Sequence, residues 1–79
     1  MAIKTRIIET SRFHAVTNDG ETLTIIEQTE QSGIDPLGSR ETRWRDERKT
    51  YETMSGGAAE KISDTEYRIL SGGKIAKKL

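Results

Sequence analysis

The sequence predicts an all-β fold: a small antiparallel meander of six or seven short strands forming a roll or barrel. Three observations carry that expectation. Ile3–Thr17 and Glu21–Thr29 are rich in β-branched residues and lack helix caps. Asn18-Asp19-Gly20 between them is a clear hairpin turn. The C-terminal third repeats Ser-Gly-Gly between short apolar runs, as a series of hairpins would. Small all-β chains close up or cover their edges, because an open row of N–H and C=O groups invites aggregation.

At 79 residues the chain makes one domain, with 32% hydrophobic and 33% charged residues and a mean hydropathy of −0.74. That composition supplies a thin core, for which partly disordered segments or self-association are expected. The formal net charge is zero, but residues 1–39 sum to −3 and residues 40–79 to +3. A balanced total argues against a dedicated nucleic-acid binder, whose domain is usually strongly basic. The asymmetry suits head-to-tail association or an acidic partner. There is no cysteine, which removes disulfides, thiolate catalysis and Cys-based zinc sites. The N-terminus lacks the apolar run of a signal peptide, and no segment approaches the roughly 20 apolar residues of a membrane helix. A soluble, cytoplasmic protein is expected.

Taken in order, Ile3–Glu9 and Arg12–Thr17 form two strands or one long bent strand. Two hairpin registers compete at Asn18-Asp19-Gly20. A three-residue loop with Gly20 left-handed opposes Ala15 to Leu23 and Phe13 to Ile25, collecting four apolar residues on one face. A two-residue loop scatters them by pairing Phe13 with Ile26, so the first is preferred. Glu21–Thr29 continues as a strand. From Gln31 the pattern is lost, and Ser32–Ser39 holds two glycines and the only proline. Residues 31–49 are expected as a long loop with mobility, tacked to the core by Ile34 and Leu37. Within it, 40–49 is loop, short helix or edge strand, with loop or strand preferred.

The repeat runs from Tyr51 to Lys61 and again from Tyr67 to Lys77. Gly56-Gly57 and Gly72-Gly73 are placed at two turn centres. Met54 then opposes Ala59, Tyr51 opposes Ile62, Leu70 opposes Ile75, and Ile62 opposes Tyr67 across Ser63–Glu66. Two cross-strand rows follow on opposite faces, Tyr51-Ile62-Tyr67 and Met54-Ala59-Leu70-Ile75. Glu60 conflicts with the first row, so a bulge or sheet edge is expected there.

Candidate chemistry is sparse. Trp44 among Arg40, Arg43, Arg45 and Arg48 is the most provocative cluster, since arginine beside an aromatic can hold phosphate and stack a base. The plainer expectation is an anchoring tryptophan with solvated charges, offset by Glu41, Asp46 and Glu47. Lys74, Lys77 and Lys78 could engage phosphates, but lysines also guard edge strands. Ser71-Gly72-Gly73-Lys74 lacks the first glycine and the helix of a P-loop and reads as a turn. His14, the sole histidine, falls on the strand face away from the core. No motif gives it an orienting acid or a nucleophile. No enzyme activity, metal site or cofactor is expected.

The layout Tyr-x-x-x-Ser-Gly-Gly-x-x-x-Lys-Ile-Ser-Asp-x-x-Tyr-x-Ile-Leu, residues 51–70, resembles small bacterial all-β proteins of no assigned activity. In those, a short strand, an Asp turn and an aromatic-x-Ile run close the chain. The resemblance implies a fold type and no site residues. The expected function is a non-enzymatic interaction or structural module, binding another copy of itself or another protein. The alternative is a nucleic-acid-binding small β-barrel using Arg40, Arg43, Trp44, Arg45, Arg48, Lys74, Lys77 and Lys78.

Overall fold

The computed structural model describes residues 3–35 and 41–79. Six strands run in chain order: β1 (Ile3–Thr17), β2 (Thr22–Ile34), β3 (Arg43–Thr53), β4 (Ala58–Lys61), β5 (Glu66–Ile69) and β6 (Lys74–Lys78). Each pairs antiparallel with the next, and β6 returns to β1 to close a barrel.

The strands are of two lengths, and this sets the shape. β1, β2 and β3 have 15, 13 and 11 residues, whereas β4, β5 and β6 have 4, 4 and 5. Short strands can close the barrel only against one end of the long ones. β6 pairs with Ala15–Thr17 of β1, and β4 with Tyr51 and Glu52 of β3. Beyond that ring, β1, β2 and β3 continue as a three-stranded arm down to Ile3, Ile34 and Arg43. The Cα radius of gyration is 16.0 Å. A compact chain of this length would give about 12 Å, so the arm dominates the outline of 55 × 21 × 20 Å.

The barrel interior alternates large and small side chains, as a narrow six-stranded ring demands. Ala15, Ile25, Tyr67, Ile69 and Ala76 are buried, with Phe13, Leu23, Tyr51 and Ala59 packed against them. The Tyr67 ring stands 5.1 Å from Phe13 and 5.2 Å from Tyr51, in tilted pairs. Phe13 opposes Ile25 and Ala15 opposes Leu23, so the first hairpin has the expected three-residue loop. Thr17 N–H donates to Glu21 O, Gly20 N–H donates to Thr17 O, and Gly20 takes φ +88°.

The later turns depart from expectation. Thr53 N–H donates to Gly57 O and Gly56 N–H to Thr53 O, so the loop is Met54-Ser55-Gly56 and not a turn centred on Gly56-Gly57. Only Gly56 is left-handed there, at φ +103°. This turn copies the first: Thr17 Oγ1 accepts from Glu21 N–H, and Thr53 Oγ1 accepts from Gly57 N–H, each at 3.0 Å. Four residues, Leu70–Gly73, make the last turn, and both of its glycines are left-handed. Ser63-Asp64-Thr65 joins β4 to β5, because Ile62 N–H already donates to Glu66 O.

These loop lengths shift the expected pairs. Tyr51 opposes Ala59, Lys61 opposes Tyr67, and Arg68 opposes Ile75. The expected rows therefore change: Tyr51 and Tyr67 still meet on the inner face, but Met54, Ile62 and Leu70 leave their rows and are 59%, 47% and 54% exposed. The conflict at Glu60 disappears too, since the one-residue slip turns it outward against Arg68. The loop expected over residues 31–49 is corrected at its start, while residues 43–49 take the strand preferred there alongside a loop. Residues 31–34 extend β2 and residues 43–49 belong to β3, while Leu37 and Arg40 lie outside the described residues. Ile34 is 43% exposed on the arm and does not reach the core.

The turn assignment makes the two adjacent glycines unequal. Gly56→Ala forces a left-handed alanine and should cost about 1 kcal/mol. Gly57→Ala places its Cβ in ordinary contact, 3.4 Å from Thr53 Oγ1, and should be nearly neutral. Denaturant unfolding of both variants checks this, and equal losses would contradict the turn.

Candidate functional site

The arm has two faces. Lys4, Gly33 and Trp44 form one cross-strand row, and Arg6, Gln31 and Asp46 the next. On β2 they continue the series Ile25, Glu27, Thr29, so they lie on the face continuous with the barrel interior. Gly33 has a specific reason to be glycine. A Cβ there would stand 2.6 Å from Thr42 Cγ2 and 2.8 Å from Trp44 Cε3, so the indole lies directly on the strand. Arg6 stacks its guanidinium 3.7 Å from the centre of the Trp44 ring and donates Nε–H to Gln31 Oε1 at 2.8 Å. Gln31 in turn donates to Asp46 at 2.6 Å. Lys4 pairs with Asp35 at 2.8 Å, and Thr42 Oγ1–H donates to the same carboxylate, which these partners hold below the usual carboxylate range.

The opposite face carries Ile3, Ile34 and Arg43 in one row, then Thr5, Ser32 and Arg45, then Ile7, Glu30 and Arg48. Ile3 and Ile7 are 79% and 65% exposed. Arg48 pairs with Glu30 at 2.8 Å and Arg45 with Glu47 at 3.0 Å. Exposed pairs of this kind contribute about 0–1 kcal/mol each, so main-chain pairing carries much of the arm's order.

A polar cluster separates arm from barrel. Glu27 accepts from Thr10 Oγ1–H at 2.8 Å, from Tyr51 O–H at 3.2 Å and from Lys49 Nζ at 3.3 Å, and Thr29 is fully buried beside it. The Thr10 hydrogen bond leads in holding the Glu27 carboxyl below its ordinary value, against burial. Burial, then the Glu27 charge, pushes the Tyr51 hydroxyl up to about 12.

At the barrel's other end the turns surround a cavity of about 250 Å³ lined by Thr17, Thr53, Ser55, Ile69 and Lys74 among others. Thr17, Glu21, Thr53, Ser55 and Lys74 are engaged with one another or with the turns. Lys74 sits 2.8 Å from Asp19 and 3.3 Å from Glu21, and Thr17 Oγ1–H donates to Asp19. The Lys74 ammonium leads in lowering the Asp19 carboxyl to about 2. His14 lies outside, its Nδ1 3.2 Å from Thr24 Oγ1. Among the described residues no group of His, Asp and Glu could hold a metal ion.

The basic residues singled out in the sequence are not brought together. Trp44 lies on one arm face, and Arg43, Arg45 and Arg48 on the other. Lys74 stands at the cavity beyond Thr53, nine residues along β3 from Trp44, or about 30 Å at the usual strand rise. Lys78 places Nζ 4.7 Å from the Phe13 ring, and Lys77 is exposed opposite Val16 and Glu66. Arg6, Gln31 and Gly33, which seat the tryptophan, gave no sequence signal, and Gly33 fell within the expected loop. Compared with protein-family models, curated proteins and solved structures, the chain matches none.

The junction predicts alkaline sensitivity. Tyr51 and Tyr67 both have raised folded values, so their contribution is complete below the unfolded value of about 10 and is lost as pH rises through the folded values, about 12 for Tyr51. Phenolate absorbance should lag that of free tyrosine and then rise together with unfolding. Ionisation of both rings at the free value in a folded protein would contradict it.

Proposed function

We propose that this chain is a non-enzymatic interaction module of the cytoplasm, in which the barrel is the base and the arm is the docking element. One observation carries this. The arm continues the sheet beyond the barrel with both outer strands unpaired among the described residues, and it exposes Ile3, Ile7 and Ile34 on one face. A long strand edge beside exposed isoleucines is an aggregation risk unless a partner covers it. β-strand addition is the common way such an edge is used. The cytoplasmic assignment rests on the absence of cysteine, which suits a reducing compartment. A nucleic-acid role has less support, because its basic groups diverge and Arg45, Arg48, Lys49 and Lys74 are each ion-paired.

A photo-crosslinking amino acid placed at Ile34 on the arm, or at Arg68 on the outside of the barrel, tests this in cells. Adducts should form from Ile34 and not from Arg68. Adducts from Arg68 alone, or none from either, would contradict the docking role.

A further inference from the structure

The two edges of the arm, unpaired among the described residues, differ chemically. Thr17 N–H bonds to Glu21 O, whereas Met54 N–H bonds to Thr24 O. Odd-numbered residues of β2 thus turn their main chain toward β1, and even-numbered ones toward β3. In the arm Thr29, Gln31 and Gly33 oppose Ile8, Arg6 and Lys4. The main-chain groups left pointing outward from β1 are therefore those of Ile3, Thr5 and Ile7. On β3 the residues paired toward β2 include Arg43, Arg45 and Arg48, leaving Trp44, Asp46 and Lys49 at the edge.

The β3 edge is guarded by charges and by a bulge at Glu47, where the register with β2 shifts. On β1 from Ile3 to Ile7 the only charges are Lys4 and Arg6, both on the inner face and both already engaged, Lys4 by Asp35 and Arg6 by Trp44 and Gln31. The strand's outward residues are uncharged and β-branched. The bulge in β1 comes later, at Thr10.

This edge is self-complementary. We infer that a second copy of this chain covers it, with the two β1 strands antiparallel about a two-fold axis at Thr5, so that Ile3 faces Ile7 of the second copy. That register gives three close pairs and about six cross-strand hydrogen bonds, two per pair. It joins both arms into one six-stranded sheet, sets isoleucine against isoleucine on one face, and closes after two chains as an isologous contact does. The inference rests on the docking role of the arm and names its partner.

The absence of native cysteine makes the test direct. Residues facing each other across a close antiparallel pair have Cα atoms about 5.5 Å apart, within the span of a disulfide. Thr5→Cys should oxidise to a covalent dimer, and Lys49→Cys on the β3 edge should not. Light scattering of the unmodified chain should give twice the 8.9 kDa of one chain, and Ile7→Lys should return it to one. A single-chain mass at every concentration, crosslinking through position 49 and not 5, or a mass growing past two chains would overturn the pairing. A monomer whose Ile34 position still crosslinks to other proteins in cells would overturn the pairing alone and leave the docking role intact.

Discussion

The structure depends on β2 being hydrogen-bonded on both sides along its length. From Thr22 to Ile34 it is the only strand that serves barrel and arm while flanked throughout by β1, and from Ile25 onward by β3. In the barrel its inward residue Ile25 is fully buried. Four residues on, Thr29 is equally buried but polar, and four further, Gly33 lies beneath an indole. One strand thus passes from an apolar core through a hydroxyl-carboxylate cluster to a surface covered by a single aromatic ring. Backbone pairing is the constant along it, and the chemistry of burial changes.

That gradient explains why the chain holds two kinds of surface. The barrel satisfies itself: its interior is filled by aromatic rings and small residues, and its turns are tied by threonine hydroxyls. The arm is ordered by main-chain bonds and a set of weak polar links, and among the described residues it leaves its flanks open. An isolated ribbon of this kind would be marginal in water. Being continuous with a closed barrel fixes its register at one end, which lowers the cost of holding it extended. The fold can therefore present a rigid edge at a distance from its own core, as an assembly element requires.

What was legible in the sequence follows the same division. Where a core exists, apolar alternation reports it: Phe13, Ala15, Leu23 and Ile25 specify the first hairpin and select the three-residue loop Asn18-Asp19-Gly20. The arm has no core, so its inner row of Lys4, Arg6, Gln31, Gly33 and Asp46 shows no such alternation, and residues 31–49 resembled a loop. The Ser-Gly-Gly repeat misled for another reason. Identical triplets sit in unlike turns, one with a single left-handed glycine and one with two. The better signal was Thr-x-x-Gly, at Thr17–Gly20 and Thr53–Gly56, where a threonine side chain closes the loop. Of the candidate site, Trp44 was visible by its rarity. The residues that seat it were not, because the cation above it comes from 38 positions earlier in the chain.

The central claim is that the sheet runs unbroken past the barrel, with β2 paired on both sides as far as Gly33. Nuclear Overhauser contacts in the isotopically labelled protein test it most directly. Backbone contacts should join Gly33 to Lys4 on one side and to Trp44 on the other, with the Gly33 α-protons shifted by the indole ring current. If cross-strand contacts stop at Thr29 and the Gly33 resonances sit at unstructured values, the arm does not exist as described, and the partner surface assigned to it goes with it.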